Sequence, residues 1–112
     1  MKMMMNAGVS PDEKDYHDYT PLHYAVILGW LNACKILLDA GADINAPTAA
    51  GKTALMLAVE FDRDEILEYF LSRTDLHIDA ADTDGYTALI YAVVYNFNVA
   101  VDIDIKSNTI LY

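Results

Sequence analysis

The sequence predicts an all-α solenoid, a stack of short helix–turn–helix units joined by extended loops. A threonine recurs at positions 20, 53 and 87, at intervals of 33 and 34 residues, each followed by a leucine two residues on and an alanine five on. Self-similarity at such a period marks units that stack because none can bury its apolar face alone. Downstream of the first two threonines, Ala33/Cys34/Leu37/Leu38 and Ile66/Leu67/Phe70/Leu71 fall at i, i+1, i+4, i+5, the apolar stripe of a second helix in each unit.

Taken in order, "KMMMNAG" at 2–8 lies 33 residues before "KILLDAG" at 35–41, so residues 1–12 read as the end of a partial repeat. Met4 and Met5 are expected to cover the Leu22/Ala25 face, and the array is expected to start inside a helix without a polar capping repeat. The first full repeat spans 15–47. Thr20 is its N-cap, with Pro21 at the first helical position, where a missing N–H costs nothing. Gly29 supplies the left-handed residue that ends the first helix, and Gly41 closes the second. "ADINAPTAAGK" then runs as a hairpin-like loop to Thr53.

The second repeat, 48–81, repeats the plan. Its turn, "EFDRDE" at 60–65, is expected to place Asp62 as N-cap of the second helix, with Asp64 and Glu65 facing the positive end of the helix dipole. The third, 82–112, keeps Thr87, Leu89 and Ala92 and then departs from the pattern after Asn96. Asp104 falls where Leu37 and Phe70 sit, and Val99, Val101, Ile103 and Ile105 alternate with period two, which favours a strand or extended tail. A divergent cap, a truncated repeat and a tail of different origin all fit this segment.

The motifs resemble those of the ankyrin repeat family. "TPLHYA" at 20–25 is similar to the family's TPLHxA signature and "LLDAGADINA" at 37–46 to its LLxxGADxN stretch, and the resemblance covers roughly residues 2–97. It implies an ankyrin-repeat α-solenoid in a single domain, 1–112, with His23 as a structural hydrogen-bonding residue; Met56 and Ile90 stand at its place in the other repeats. It also implies recognition of another protein on a concave face of loop fingers and inner helices. The finger positions are Tyr16, His17 and Tyr19, then Ala49, Ala50 and Lys52, then Thr83, Asp84 and Tyr86; the inner-helix positions beside them are Ile27, Glu60 and Val94. Tyrosine at three of these suits a contact surface, since it offers broad area at small entropic cost.

Composition narrows the partners. With 112 residues, 54% of them hydrophobic, the chain is one small domain or a piece of a larger protein. A net charge of −10 disfavours nucleic acid and anionic membrane and is compatible with a basic protein surface. No apolar run reaches membrane-spanning length, the start lacks a signal-peptide core, and Cys34 has no second cysteine to pair with, so a cytoplasmic setting is expected.

One motif points elsewhere. "APTAAGKT" at 46–53 satisfies the loosest phosphate-loop pattern, and "VAVD" at 99–102 could stand as its companion strand. Yet Gly51-Lys52-Thr53 shares its register with Asp18-Tyr19-Thr20 and Gly85-Tyr86-Thr87, which makes glycine a turn residue and threonine a helix cap. A phosphate loop also needs a buried strand before it, where this chain has a helix end and "GADIN". His17 and His77 lack a second ligand at metal spacing, Cys34 lies on an apolar stripe, and thin stacked hairpins offer no deep cleft for paired carboxylates. No catalytic residue, cofactor, metal or small-molecule substrate is therefore expected. A regulatory or targeting segment of a larger enzyme, with catalysis elsewhere, is the alternative.

Overall fold

The structure is a computed structural model that describes residues 10–95. Its described part is all-helical: α1 (Pro21–Leu28), α2 (Leu31–Asp39), α3 (Ala54–Glu60), α4 (Asp64–Leu71) and α5 (Ala88–Tyr95). Helices α1, α3 and α5 pack side by side as an inner layer, and α2 and α4 form the layer behind them. Four of the five come as hairpins, α1 with α2 and α3 with α4, because two- or three-residue turns fold each second helix back on the first.

The caps explain where each helix starts and stops. Thr20, Thr53 and Thr87 each accept a hydrogen bond from the backbone N–H three residues on, at His23, Met56 and Ile90. Gly29 ends α1 at φ 78°, and the amides of Gly29 and Trp30 reach back to the carbonyls of Val26 and Ala25. Gly41 does the same for α2 at φ 99°, with Gly41 and Ala42 donating to Leu38 and Leu37. Asp62 corrects one expectation. It does not cap α4; it sits at φ 58° and ends α3, with Asp62 and Arg63 donating to Val59 and Ala58. The N-cap of α4 is Arg63, which makes no side-chain capping bond, while Asp64 and Glu65 do lie in the first turn.

Packing follows the stripes. The buried residues of α2 are Ala33, Cys34, Leu37 and Leu38, and those of α4 are Ile66, Leu67, Phe70 and Leu71, the two expected sets. Helix α3 is flanked by α1, α4 and α5, so Ala54 through Val59 are all buried, which is why "ALMLAV" is apolar on every side. The loops bury alternate residues: Ala42, Ile44 and Ala46 point in, with Asp43 and Pro47 exposed.

Polar groups tie one repeat to the next. Asn45 donates through Nδ2 to the Asp75 carbonyl at 2.8 Å and accepts the His77 amide at 2.7 Å. Arg63 donates through Nε at 3.1 Å to the Val26 carbonyl, which also accepts the Gly29 amide, and through Nη2 to the Ile27 carbonyl at the end of α1. Gly29 makes room for it, since a Cβ there would meet the guanidinium carbon at 3.1 Å.

The expected helix end at residues 2–8, the Met4/Met5 contact and the alternating segment 99–105 lie outside the described residues.

Candidate protein-interaction face

Three loop fingers precede the inner helices, and each is built on one side chain. Asp15 Oδ1 accepts the amides of His17 and Tyr19, both at 2.9 Å, and Asp82 Oδ1 accepts those of Asp84 and Tyr86, both at 2.9 Å. Thr48 takes this place in the second finger, its hydroxyl accepting the Lys52 amide at 3.2 Å. The left-handed turn residue that follows is Asp18, Gly51 or Gly85, at φ 64°, 80° and 83°. Adjacent fingers are joined by backbone alone: the Ala49 amide donates to the His17 carbonyl and the Thr83 amide to that of Ala50, both at 3.0 Å. Gly51 permits this approach, because a Cβ there would lie 2.8 Å from the Thr83 nitrogen.

The finger tips carry Tyr16, His17, Ala49, Ala50, Thr83 and Asp84, all exposed, with Tyr16 at 95%. At the finger bases the three expected residues differ. Tyr19 is half-buried, its ring 5.7 Å from that of His23 and 5.4 Å from that of Tyr24. Lys52 is half-buried and paired with Glu60 at 2.9 Å, its ammonium 5.8 Å from the centre of the Tyr91 ring. Glu60 holds the lysine charged, offsetting the burial that favours the neutral amine. Tyr86 is half exposed, in edge-to-face contact with Tyr91. Of the inner-helix positions, Ile27 packs on the core, Glu60 is tied to Lys52, and Val94 is 65% exposed.

The expected set omits Tyr24, Ile90, Tyr91 and Tyr95. Tyr91 donates to Asp82 Oδ2 at 2.5 Å and Tyr24 to Asp15 Oδ2, locking each finger onto its following helix. These bonds hold both carboxyls below their usual range, for Asp82 against the opposing effect of burial; the Tyr24 phenol is raised chiefly by its bond to Asp15, and the Tyr91 phenol by burial first and by its bond to Asp82 second. The signal for them is an aspartate nine residues before a tyrosine in repeats one and three, with Thr48 and Leu57 at the same places in repeat two. Ile90, Tyr91, Val94 and Tyr95 also line a cavity of about 230 Å³ between the third finger and α5.

The remaining sequence candidates have structural duties. His23 Nδ1 accepts the Thr20 amide at 2.9 Å, so Nε2 carries the proton and donates to the Ala46 carbonyl at 2.8 Å. Burial pushes its pKa below the usual histidine value, keeping it neutral. Cys34 is buried between the layers, which pushes its thiol up to about 12 and leaves it un-ionised. The phosphate-loop reading fails on geometry. The Ala49, Gly51 and Lys52 amides are spent on the His17 carbonyl, the Thr48 carbonyl and the Thr48 hydroxyl, and Lys52 itself is held by Glu60. Among the described residues, no group of three or more His, Cys, Asp or Glu is arranged to hold a metal, and no helix is long and apolar enough to cross a membrane.

Comparison with known proteins agrees with this geometry. The family described as ankyrin repeats (many copies) matches residues 22–71. The chain is 28% identical over 95 residues to Rabankyrin-5 of Homo sapiens, covering 85% of this chain and 8% of that protein. It is 37% identical over 84 residues to an ankyrin repeat-containing protein of Schizosaccharomyces pombe, covering 75% of this chain and 39% of that one. It is 34% identical over 82 residues to protein phosphatase 1 regulatory subunit 12A of Mus musculus, covering 73% of this chain and 8% of that protein. The chain thus spans a minor part of the length of each of these relatives. With capped helix pairs, stacked inner and outer layers, a TPLH histidine bridging to the next loop and backbone-linked fingers, the chain belongs to the ankyrin repeat family.

Proposed function

We propose that this chain is a non-enzymatic protein-binding module that grips its partner between the finger row and the inner helices. Tyr16, His17, Tyr19, Ala49, Ala50, Lys52, Thr83, Asp84 and Tyr86 form the finger side of the contact, and Ile27, Glu60 and Val94 the helix side. The observation that carries this reading is the backbone linkage of the fingers. It leaves the tip side chains exposed and without a share in holding the row together. Exposed apolar side chains beside the third finger, Ile90, Val94 and Tyr95, support the same use. The acidic balance of the chain favours a partner with a basic surface, and one buried thiol suits a reducing, cytoplasmic setting.

The test is capture of partners from the native proteome by the wild-type chain and by Tyr16→Ala and Tyr86→Ala variants. The reading predicts a retained partner whose affinity drops by about 1–2 kcal/mol in at least one variant, with little change in melting temperature. Capture that is indifferent to both substitutions would move the contact off the fingers.

A second reading is that the chain is the regulatory or targeting segment of a larger enzyme assembly. It is supported by the match to a protein named as a phosphatase regulatory subunit, of which the chain spans 8%. The full-length gene separates the two.

A further inference from the structure

The cavity between the third finger and α5 has walls that favour one kind of guest. Tyr86, Tyr91 and Tyr95 stand edge to face, with ring centres 6.3 and 6.2 Å apart, and Ile90 and Val94 add apolar wall to a hollow of about 230 Å³ that Lys52 also lines. Tyrosine faces carry negative quadrupole density that attracts cations. The site already shows this, since the Lys52 ammonium rests 5.8 Å from the centre of Tyr91. That charge is matched by Glu60 at 2.9 Å.

Two carboxylates, Asp82 and Asp84, remain on the lining. Asp82 is engaged by the Tyr91 hydroxyl and by two finger amides. The Asp84 side chain accepts no hydrogen bond among the described residues and is exposed at the finger tip. The balance is an aromatic and aliphatic hollow with net negative charge and one uncommitted carboxylate.

We propose that this hollow receives an arginine side chain of the partner, with its stem on Ile90 and Val94, its guanidinium against the tyrosine faces and its fork on Asp84. The proposal rests on the protein-binding reading and names the residue type that reading requires at this position. Arginine fits better than lysine because its planar group stacks on aromatic rings, sheds water more readily and bonds a carboxylate through two N–H groups. An anionic guest would meet two carboxylates and a Lys52 ammonium already paired with Glu60. A purely apolar guest would strip water from Asp84 and return nothing to it.

The experiment is an NMR titration of the whole chain with the capped tripeptide acetyl-Gly-Arg-Gly-amide. The counterpart carries citrulline, which has nearly the same shape and no charge. The arginine peptide should shift signals from Asp84, Tyr86, Ile90, Tyr91 and Val94 with a Kd of about 1–10 mM, and citrulline should bind at least about fivefold more weakly. Asp84→Asn should weaken the arginine peptide by about fivefold and leave the melting temperature in place. Equal binding of the two peptides, shifts confined to another face, binding unaffected by Asp84→Asn, or no shift at about 10 mM would each overturn the proposal. Because partner capture is scored separately on Tyr16→Ala and Tyr86→Ala, failure here with capture intact sinks the arginine site alone. Failure of both sinks the protein-binding reading.

Discussion

The Tyr91 hydroxyl lies 2.5 Å from Asp82 Oδ2, and through this bond the third finger is fastened to the helix it introduces. Tyr24 and Asp15 make the same link in the first repeat. Removing the Tyr91 hydroxyl should leave the finger turn intact and loosen its seat on α5. Tyr91→Phe is expected to cost about 1 kcal/mol in urea unfolding, and Asp82→Ala more, since it also frees the Asp84 and Tyr86 amides. A Tyr91→Phe cost as large as that of Asp82→Ala would mean that the finger turn itself depends on the phenol.

A pH dependence follows from His23. Its folded pKa is depressed below the ordinary 6.5 by burial, so the unfolded chain takes up a proton at a higher pH than the folded one. Stability from this group is present in full above about 6.5 and drains away as pH falls from there towards the folded value. Urea midpoints should therefore decline between about pH 7 and pH 5, and His23→Gln should flatten that decline whatever its own midpoint. A variant with the wild-type slope would assign the titration elsewhere. Asp82 and Asp75 act further down the scale: their carboxyls are depressed, so their contributions hold above the ordinary value of 3.8 and are lost as pH drops through the folded pKa.

Backbone sign gives a third expectation. Asp18 and Asp62 occupy left-handed positions at φ 64° and 58°, where the equivalent residues of other repeats are Gly51, Gly85 and Gly29. Asp18→Gly and Asp62→Gly should each stabilise the chain by about 0.5–1 kcal/mol by removing Cβ strain. The converse differs between two glycines. Gly85→Ala meets nothing within 4 Å and costs strain alone, whereas Gly51→Ala also drives a Cβ into the Thr83 backbone. Thermal melts should rank Gly51→Ala as clearly the more damaging, and equal losses would show that the fingers part easily.

Lys52 supplies the fourth. Its bond to Glu60 is half-exposed, so Lys52→Ala should cost no more than about 1 kcal/mol, less at high salt. Calorimetric titration with ATP and magnesium should give no binding heat, in keeping with amides already committed to the finger. Micromolar affinity abolished by Lys52→Ala would restore the phosphate-loop reading.

The helical frame was legible because its determinants are local and periodic. Thr20, Thr53 and Thr87 announce caps by chemistry, and the stripes of α2 and α4 are the buried residues themselves. Asp62 reads as an N-cap because it is an aspartate before a helix, whereas its left-handed backbone would be plain in the sequence only if the residue were glycine. The Asp82–Tyr91 clasp was invisible for another reason. It joins two residues nine apart whose meeting depends on how a finger folds onto the following helix, and no period reports that. Tyr19 shares its finger position with Lys52 and Tyr86, and nothing in that spacing reports that its ring lies against His23 and Tyr24. The pattern beyond Asn96 falls outside the described residues.

The bonds between fingers, His17 to Ala49 and Ala50 to Thr83, run from main chain to main chain. A row joined this way is indifferent to the letters written at its tips. If the proposed binding face is right, residues 16, 17, 49, 50, 83 and 84 form a writable strip, where substitution changes what is gripped without renegotiating how the molecule folds. Glycine 51 is the exception that fixes the pitch of the row, so a library of altered specificities would vary the six tip positions freely and hold that one letter constant.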